Sequence, residues 1–285
     1  LGSVIVDANS PSLSSVAAAN GTYKVGDNID ITVTWNDNVS VTGTPTLTLS
    51  NSATATYQSG TGSAALVFRY TVAEGDTDSA DLFVSSYSGT IEDAAGNTAG
   101  AANGDLGSVI VDANSPSLSS VAAVDGTYKV GDNIDITVTW DESVSVTATP
   151  TLTLSNSATA TYQSGDGTAA LVFRYTVVEG DTDSSDLSVS SYSGTIKDGA
   201  DNTAAAVSGD LGSVIVDANS PSFVSVAATD GTYTVGNNID ITVTWDESVS
   251  VTATPTLTLS NSATATYQSG TGSAALVFRY TVAEG

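Results

Sequence analysis

The sequence returns to its own beginning every 105 residues. LGSVIVDANSPS starts at Leu1, again at Leu106 and again at Leu211. The two full periods share 88 of 105 positions, and 67 of the last 75 residues match the second period, so all copies must adopt one fold. Solenoid turns repeat every ~20–50 residues, whereas a period this long matches a whole small domain. The expectation is a string of like domains, each with its own core.

Each period reads as strands. Ile29, Ile31, Val33 and Trp35 alternate with Asp30, Thr32 and Thr34, and Ala64, Leu66, Phe68, Tyr70 and Val72 alternate with Ala65, Val67, Arg69 and Thr71. Shorter runs carry Val39 and Val41, Leu47 and Leu49, Ala53, Ala55 and Tyr57, and Leu82 and Val84. Period two with frequent Thr, Val and Tyr, punctuated by Gly, Asn, Asp and Ser, favours strands. No sustained 3.6-residue stripe argues for a helix. About seven such strands per period predict an all-β antiparallel sandwich. On an up-and-down arrangement, the acidic loops gather at the two ends of each sandwich.

LGSVIVD follows a Gly/Asn/Ala-rich stretch and reads as a closing strand, with ANSP as a short joint whose Pro keeps the preceding residue extended. The units are then 11–115 and 116–220, preceded by a closing strand and joint at 1–10 and followed by an incomplete unit at 221–285. That last unit has no counterpart of Asp181–Asp217, about two strands. The expectation is a window on a longer chain, with strand donation by a neighbour as the alternative.

Composition narrows the function. With 31 acidic against 6 basic residues, the net charge is -25, a surface that repels nucleic acid and anionic lipid and attracts cations. Cysteine and histidine are absent, which removes disulfides, thiolate and imidazole metal sites, and the usual nucleophile–base pairs. Oxygen-ligated metal remains as a stabilising device. No catalytic motif stands out, so an enzyme is not expected.

Three runs carry a family resemblance: GTYKVGDNIDITVTW, VSVTGTPTLTLSNSATATYQSGTGSAALVFRYTVAEGD and GTIEDAAGN. They resemble the bacterial immunoglobulin-like tandem repeats in the extender region of giant RTX-type surface adhesins. The resemblance implies immunoglobulin-like sandwiches strung into an extended rod, stabilised by calcium and exported to the extracellular side or bacterial cell surface. It also implies a spacer role in adhesion and biofilm formation, the ligand-binding tip lying elsewhere.

Acidic residues concentrate in the loops at the ends of each predicted sandwich. Stacking one unit on the next sets Glu74, Asp76, Asp112 and Asn114 opposite Asp141, Glu142 and Asp198. The second joint would use Glu179, Asp181, Asp217 and Asn219 with Asp246 and Glu247. Calcium takes six to eight hard oxygen ligands, and crowded carboxylates without an ion repel one another. Ca2+ at the joints is therefore the expected cofactor; Asp and Asn making loop turns is the competing explanation. GDTDSAD has two aspartates at EF-hand spacing but lacks the loop glycine and distal glutamate.

The expected partners are calcium and the neighbouring repeats of the same chain, with no nucleic acid, no membrane insertion and a monomeric rod. Two other functions stay open: a ligand-binding module for a glycan or other surface, and a self-assembling extracellular fibre subunit completed by strand addition. Trp35, Trp140 and Trp245 are expected in the core and Arg69 in an ion pair.

Overall fold

A computed structural model describes residues 4–284. Among the described residues every regular element is a strand. The chain divides into two compact units. Of the described residues, 4–128, 133–176 and 184–216 form the first, and 129–132, 177–183 and 217–284 form the second.

In the first repeat the strands are β1 (Leu13–Ala17), β2 (Gly21–Lys24), β3 (Asn28–Leu49), β4 (Thr54–Ser59), β5 (Ser63–Thr71), β6 (Phe83–Glu92), β7 (Gly104–Asp105) and β8 (Val109–Asp112). β3 is one 22-residue strand where the sequence suggested three short runs. Its first half pairs with β1 and β5, its second with β4 and β6, and register breaks at Thr34/Val39 and Thr42/Thr46 let it turn between the two sets of partners. The alternation holds within each part and breaks at 36–38 and 42–44: Ile29, Ile31, Val39 and Leu47 are fully buried, while Asp30, Thr32, Thr34, Thr46 and Thr48 lie outward or half-buried.

The uniformly antiparallel expectation needs one correction. β8, the closing strand, pairs in parallel with β2, aligning Gly21 with Val109 and Lys24 with Asp112. GTYK carries too few apolar residues to register as a strand by alternation, so only the partner reveals it. The pairing places Asp112 at the end of the repeat beside the chain between Lys24 and Asp27.

The second repeat repeats the plan with β9 (Leu118–Ala122), β10 (Gly126–Lys129), β11 (Asn133–Val146), β12 (Thr151–Leu154), β13 (Thr159–Ser164), β14 (Thr168–Thr176), β15 (Ser188–Ser193), β16 (Ile196–Lys197), β17 (Gly209–Asp210) and β18 (Val214–Asp217). Here the long strand is broken into β11 and β12. Both cores close tightly on large side chains: Trp35, Phe68, Trp140 and Phe173 are each at most 2% exposed. Trp35 meets Tyr87 edge-on at 5.9 Å, and Trp140 meets Tyr192 at 6.3 Å. Arg69 forks onto Asp30 through Nε (2.6 Å) and Nη2 (2.7 Å), as expected of an outward cross-strand pair.

The second unit is built on a five-stranded sheet: β19 (Phe223–Ala228), β20 (Asn238–Val249), β21 (Thr256–Thr258), β22 (Thr264–Ser269) and β23 (Ser273–Thr281), in the order β19-β20-β23-β22-β21. Its core residues Ile241, Val243, Leu276 and Phe278 are buried, but Phe223 on β19 is 60% exposed.

Candidate functional site

The segment between the first two repeats, Asp112–Ser117, is held from both sides. On the side of the first repeat, the turn after β5 grips it. Gly75 N–H donates to the Ala113 carbonyl (2.9 Å), and Asp78 accepts from Ala113 N–H (2.8 Å) and the Asn114 amide (2.9 Å). Glu74 accepts from both Ser115 N–H (2.9 Å) and Ser115 Oγ (2.7 Å). Gly75 makes the turn possible at φ +83°, in the left-handed region where a side chain is costly.

On the side of the second repeat, Asp141 accepts from Ser117 N–H (2.8 Å) and Ser117 Oγ, and Ala205 N–H donates to the Pro116 carbonyl (2.9 Å). Ala113 and Pro116 are buried. ANSPS is thus an ordered connector whose polar atoms are individually matched, because each short polar residue finds a carboxylate on one neighbour or the other.

Three carboxylates lie around this connector with acidic neighbours. Asp198 sits in the loop after β16 and is 4% exposed; it accepts from Ala200 N–H, Asn202 N–H and the Asn202 amide, each at 2.8 Å. Asp112, at the end of β8, has its carboxyl pushed up by burial and by the charge of Asp198, with smaller contributions from Asp78 and Glu74. Glu142 is pushed up to about 7, again by burial first and then by Asp198, Asp112, Asp141 and Asp78.

Asp141 behaves oppositely. The two hydrogen bonds from Ser117 hold the Asp141 carboxyl below its ordinary value. The site therefore sorts itself into carboxylates that fasten the connector and two, Asp112 and Glu142, whose charge is opposed by burial and by Asp198.

The second unit shows the same fastening contacts. Glu179 accepts from Ser220 N–H (2.9 Å) and Oγ (2.6 Å), and Asp183 accepts from Ala218 N–H and the Asn219 amide, both at 2.8 Å. Asp246 accepts from Ser222 N–H (2.7 Å). Glu247 is raised by burial, then by Asp217, Asp246, Asp183 and Glu179, as Glu142 is by its neighbours. Asp217, Asn219 and Glu247 line one hollow together with Lys129.

Two of the expected residues are occupied elsewhere. Asp76 turns back into its own repeat, accepting from the Tyr70 hydroxyl (2.7 Å) and Ala73 N–H (2.9 Å); burial first, and then the hydrogen bond to Asp76, drive the Tyr70 phenol well above its ordinary value. Asp181 likewise accepts from Val178 N–H (3.0 Å). Among the described residues no three carboxylates stand, as placed, close enough to hold a metal ion.

Sequence reasoning missed Asp78, Asp183 and above all Asn202. Asn202 is 3% exposed, and its amide reaches Asp112. The signal was present in the spacing shared by EDAAGN and KDGADN, an Asp followed four residues later by Asn.

The chain matches no protein-family model, and it matches no curated protein.

Proposed function

We propose that this chain is a run of spacer repeats from a long secreted or cell-surface bacterial adhesin, built of immunoglobulin-like sandwiches, with Ca2+ stiffening the joints. One observation carries the reading. Asp112 and Glu142 are both raised by burial and by the charge of the buried Asp198, at a connector otherwise held by matched hydrogen bonds. Glu247 is likewise raised by burial and by the charges of Asp217, Asp246, Asp183 and Glu179. A protein that needed only a tether between domains gains nothing by gathering like-charged carboxylates there, since their mutual repulsion costs free energy.

The donor set suits a hard cation: carboxylates, amide oxygens and peptide carbonyls, with no nitrogen or sulfur ligand in the chain. At the first joint Asp112, Glu142 and Asp198 would hold the ion, with Glu74, Asn114 and Asp141 fastening the connector around it. At the second, Asp217 and Glu247 take the corresponding part, with Glu179, Asn219 and Asp246 as fasteners. The bound ion would neutralise the crowded charge and turn repulsion into cohesion.

Near-identity between repeats supports the spacer role. Length and stiffness are delivered by copying one domain. The reading makes the chain extracellular, without nucleic-acid or membrane partners, and monomeric.

Calorimetric titration of the chain with calcium tests the ligand assignment. Tight sites should appear in the parent, and Asp112→Asn with Glu142→Gln should weaken one class about tenfold or more. Unchanged binding in the double variant overturns the assignment, and no binding in the parent overturns calcium altogether.

A further inference from the structure

We propose that Asn202 is a metal-independent latch that fixes the seat of the second repeat against the first. Every polar group of its side chain is committed. Oδ1 accepts from Val25 N–H at 2.9 Å, across to the first repeat. Nδ2 donates to Asp198 Oδ2 at 2.8 Å within its own loop, and to the Asp112 carbonyl (3.2 Å) and Oδ1 (3.3 Å). Its backbone N–H is taken by Asp198 Oδ1 at 2.8 Å.

The amide is therefore oriented uniquely. Exchanging its oxygen and nitrogen would set an N–H against the Val25 N–H and an oxygen against two carboxylates, so only one orientation is compatible with this seat. Asp198 is the positioning group, because its two oxygens hold Asn202 by both backbone and side chain while Ala200 N–H pins the carboxylate. A buried amide with all partners in place is costly to move, since any tilt of the joint leaves polar atoms unmatched away from water. Lys24 reinforces the contact by donating from Nζ to the Asp201 carbonyl at 3.2 Å.

The first repeat shows the same device independently. Asn97, held by Asp93 through its amide (2.8 Å) and its backbone N–H (2.8 Å), reaches the carbonyls of Asp7 and Asn9, both at 3.4 Å. Asp7 is the counterpart of Asp112 one period earlier. Between the two loops EDAAGN and KDGADN three of six residues differ, yet the Asp and the Asn remain. The position between them that requires φ > 0 is Gly96 (+86°) in one copy and Asp201 (+75°) in the other; Asp is among the few residues that tolerate it. The backbone shape and the latch have been retained while the rest of the loop changed.

The latch makes no use of a cation, so it should act in chelator. The chain has no cysteine, which allows site-specific labelling without further changes. Spin labels at Thr54→Cys and Thr159→Cys, exposed positions on β4 and β13, report the distance between the two repeats. A second pair, Thr159→Cys with Ser191→Cys, reports within the second repeat alone. In chelator, Asn202→Ala should raise the population outside the main inter-repeat peak about fivefold or more, the equivalent of losing one net hydrogen bond. The pair within the second repeat should stay unchanged, as should the inter-repeat peak in Asn97→Ala, which damages the same loop in the other copy.

Asn202→Asp provides a second perturbation that keeps the acceptor for Val25 and removes the amide donors; it too should broaden the inter-repeat peak. An inter-repeat distribution unchanged in both Asn202 variants overturns the latch. Equal broadening in Asn97→Ala, or broadening of the internal pair, overturns it as well. Addition of calcium to the parent tests the metal separately, so the two readings fail by different results.

Discussion

Replacing Glu142 by Gln should stabilise the metal-free joint at neutral pH and leave it unchanged in mild acid. Burial and the charges of Asp198, Asp112, Asp141 and Asp78 raise this carboxyl from its ordinary 4.5 to about 7. Between those values the folded protein holds a proton that the unfolded chain has lost. Stability therefore falls as pH rises through that window; the cost is fully present above about 7 and absent below 4.5. Each tenfold change in proton affinity is worth about 1.4 kcal/mol, and screening at this part-exposed site leaves about 1–2 kcal/mol of the full span. The neutral Gln avoids that cost.

The assay is thermal unfolding in chelator, followed by Trp140 fluorescence in a Trp35→Phe, Trp245→Phe background. At pH 8 the variant should melt about 5 °C higher, and at pH 4.5 it should coincide with the parent. With calcium the order should reverse, because a ligand bound only to the folded state stabilises in proportion to its affinity and the variant has lost a ligand. Equal melting at both pH values, or a variant less stable at pH 8 in chelator, would refute the electrostatic reasoning.

Other perturbations have expected outcomes set by packing and geometry. Phe173→Ala, at a fully buried position against Tyr162, should cost the second repeat about 3–5 kcal/mol in urea unfolding. Gly165→Ala should also destabilise strongly, by ~2 kcal/mol or more, because φ is +108° and the added carbon would meet the Ala170 carbonyl oxygen. By contrast Asp135→Asn, which breaks the forked pair with Arg174 on the exposed face, should cost at most about 1 kcal/mol, and the loss should vanish in molar salt.

Much of the fold was legible because it rests on period-two burial. Ile29–Trp35 and Leu66–Val72 announce their inner faces, and the core forms on them. Trp35 and Trp140 lie where that alternation puts them, and Arg69 pairs with Asp30 because the two stand opposite on the outward face. The parallel pairing of β2 with β8 was not legible, since a four-residue polar strand carries no pattern and is defined only by a partner about 88 residues away.

The joint was half legible. Carboxylates could be assigned to the ends of the repeats by loop position, but which were satisfied depended on donors from ANSPS that only folding brings into reach. Glu74 and Asp141 found serines, Asp76 turned inward to Tyr70, and Glu142 was left among like charges. The role of Asn202 depends on the Val25 N–H, 177 positions away, a separation over which no local pattern speaks.

The most direct test of a calcium-stiffened spacer is small-angle X-ray scattering on the chain, first with calcium and then with excess chelator. The account predicts a larger maximum dimension and a narrower distribution of long distances with calcium, and a shorter, broader profile without it. Superimposable profiles would contradict the account and leave the acidic joints without a mechanical role for the ion.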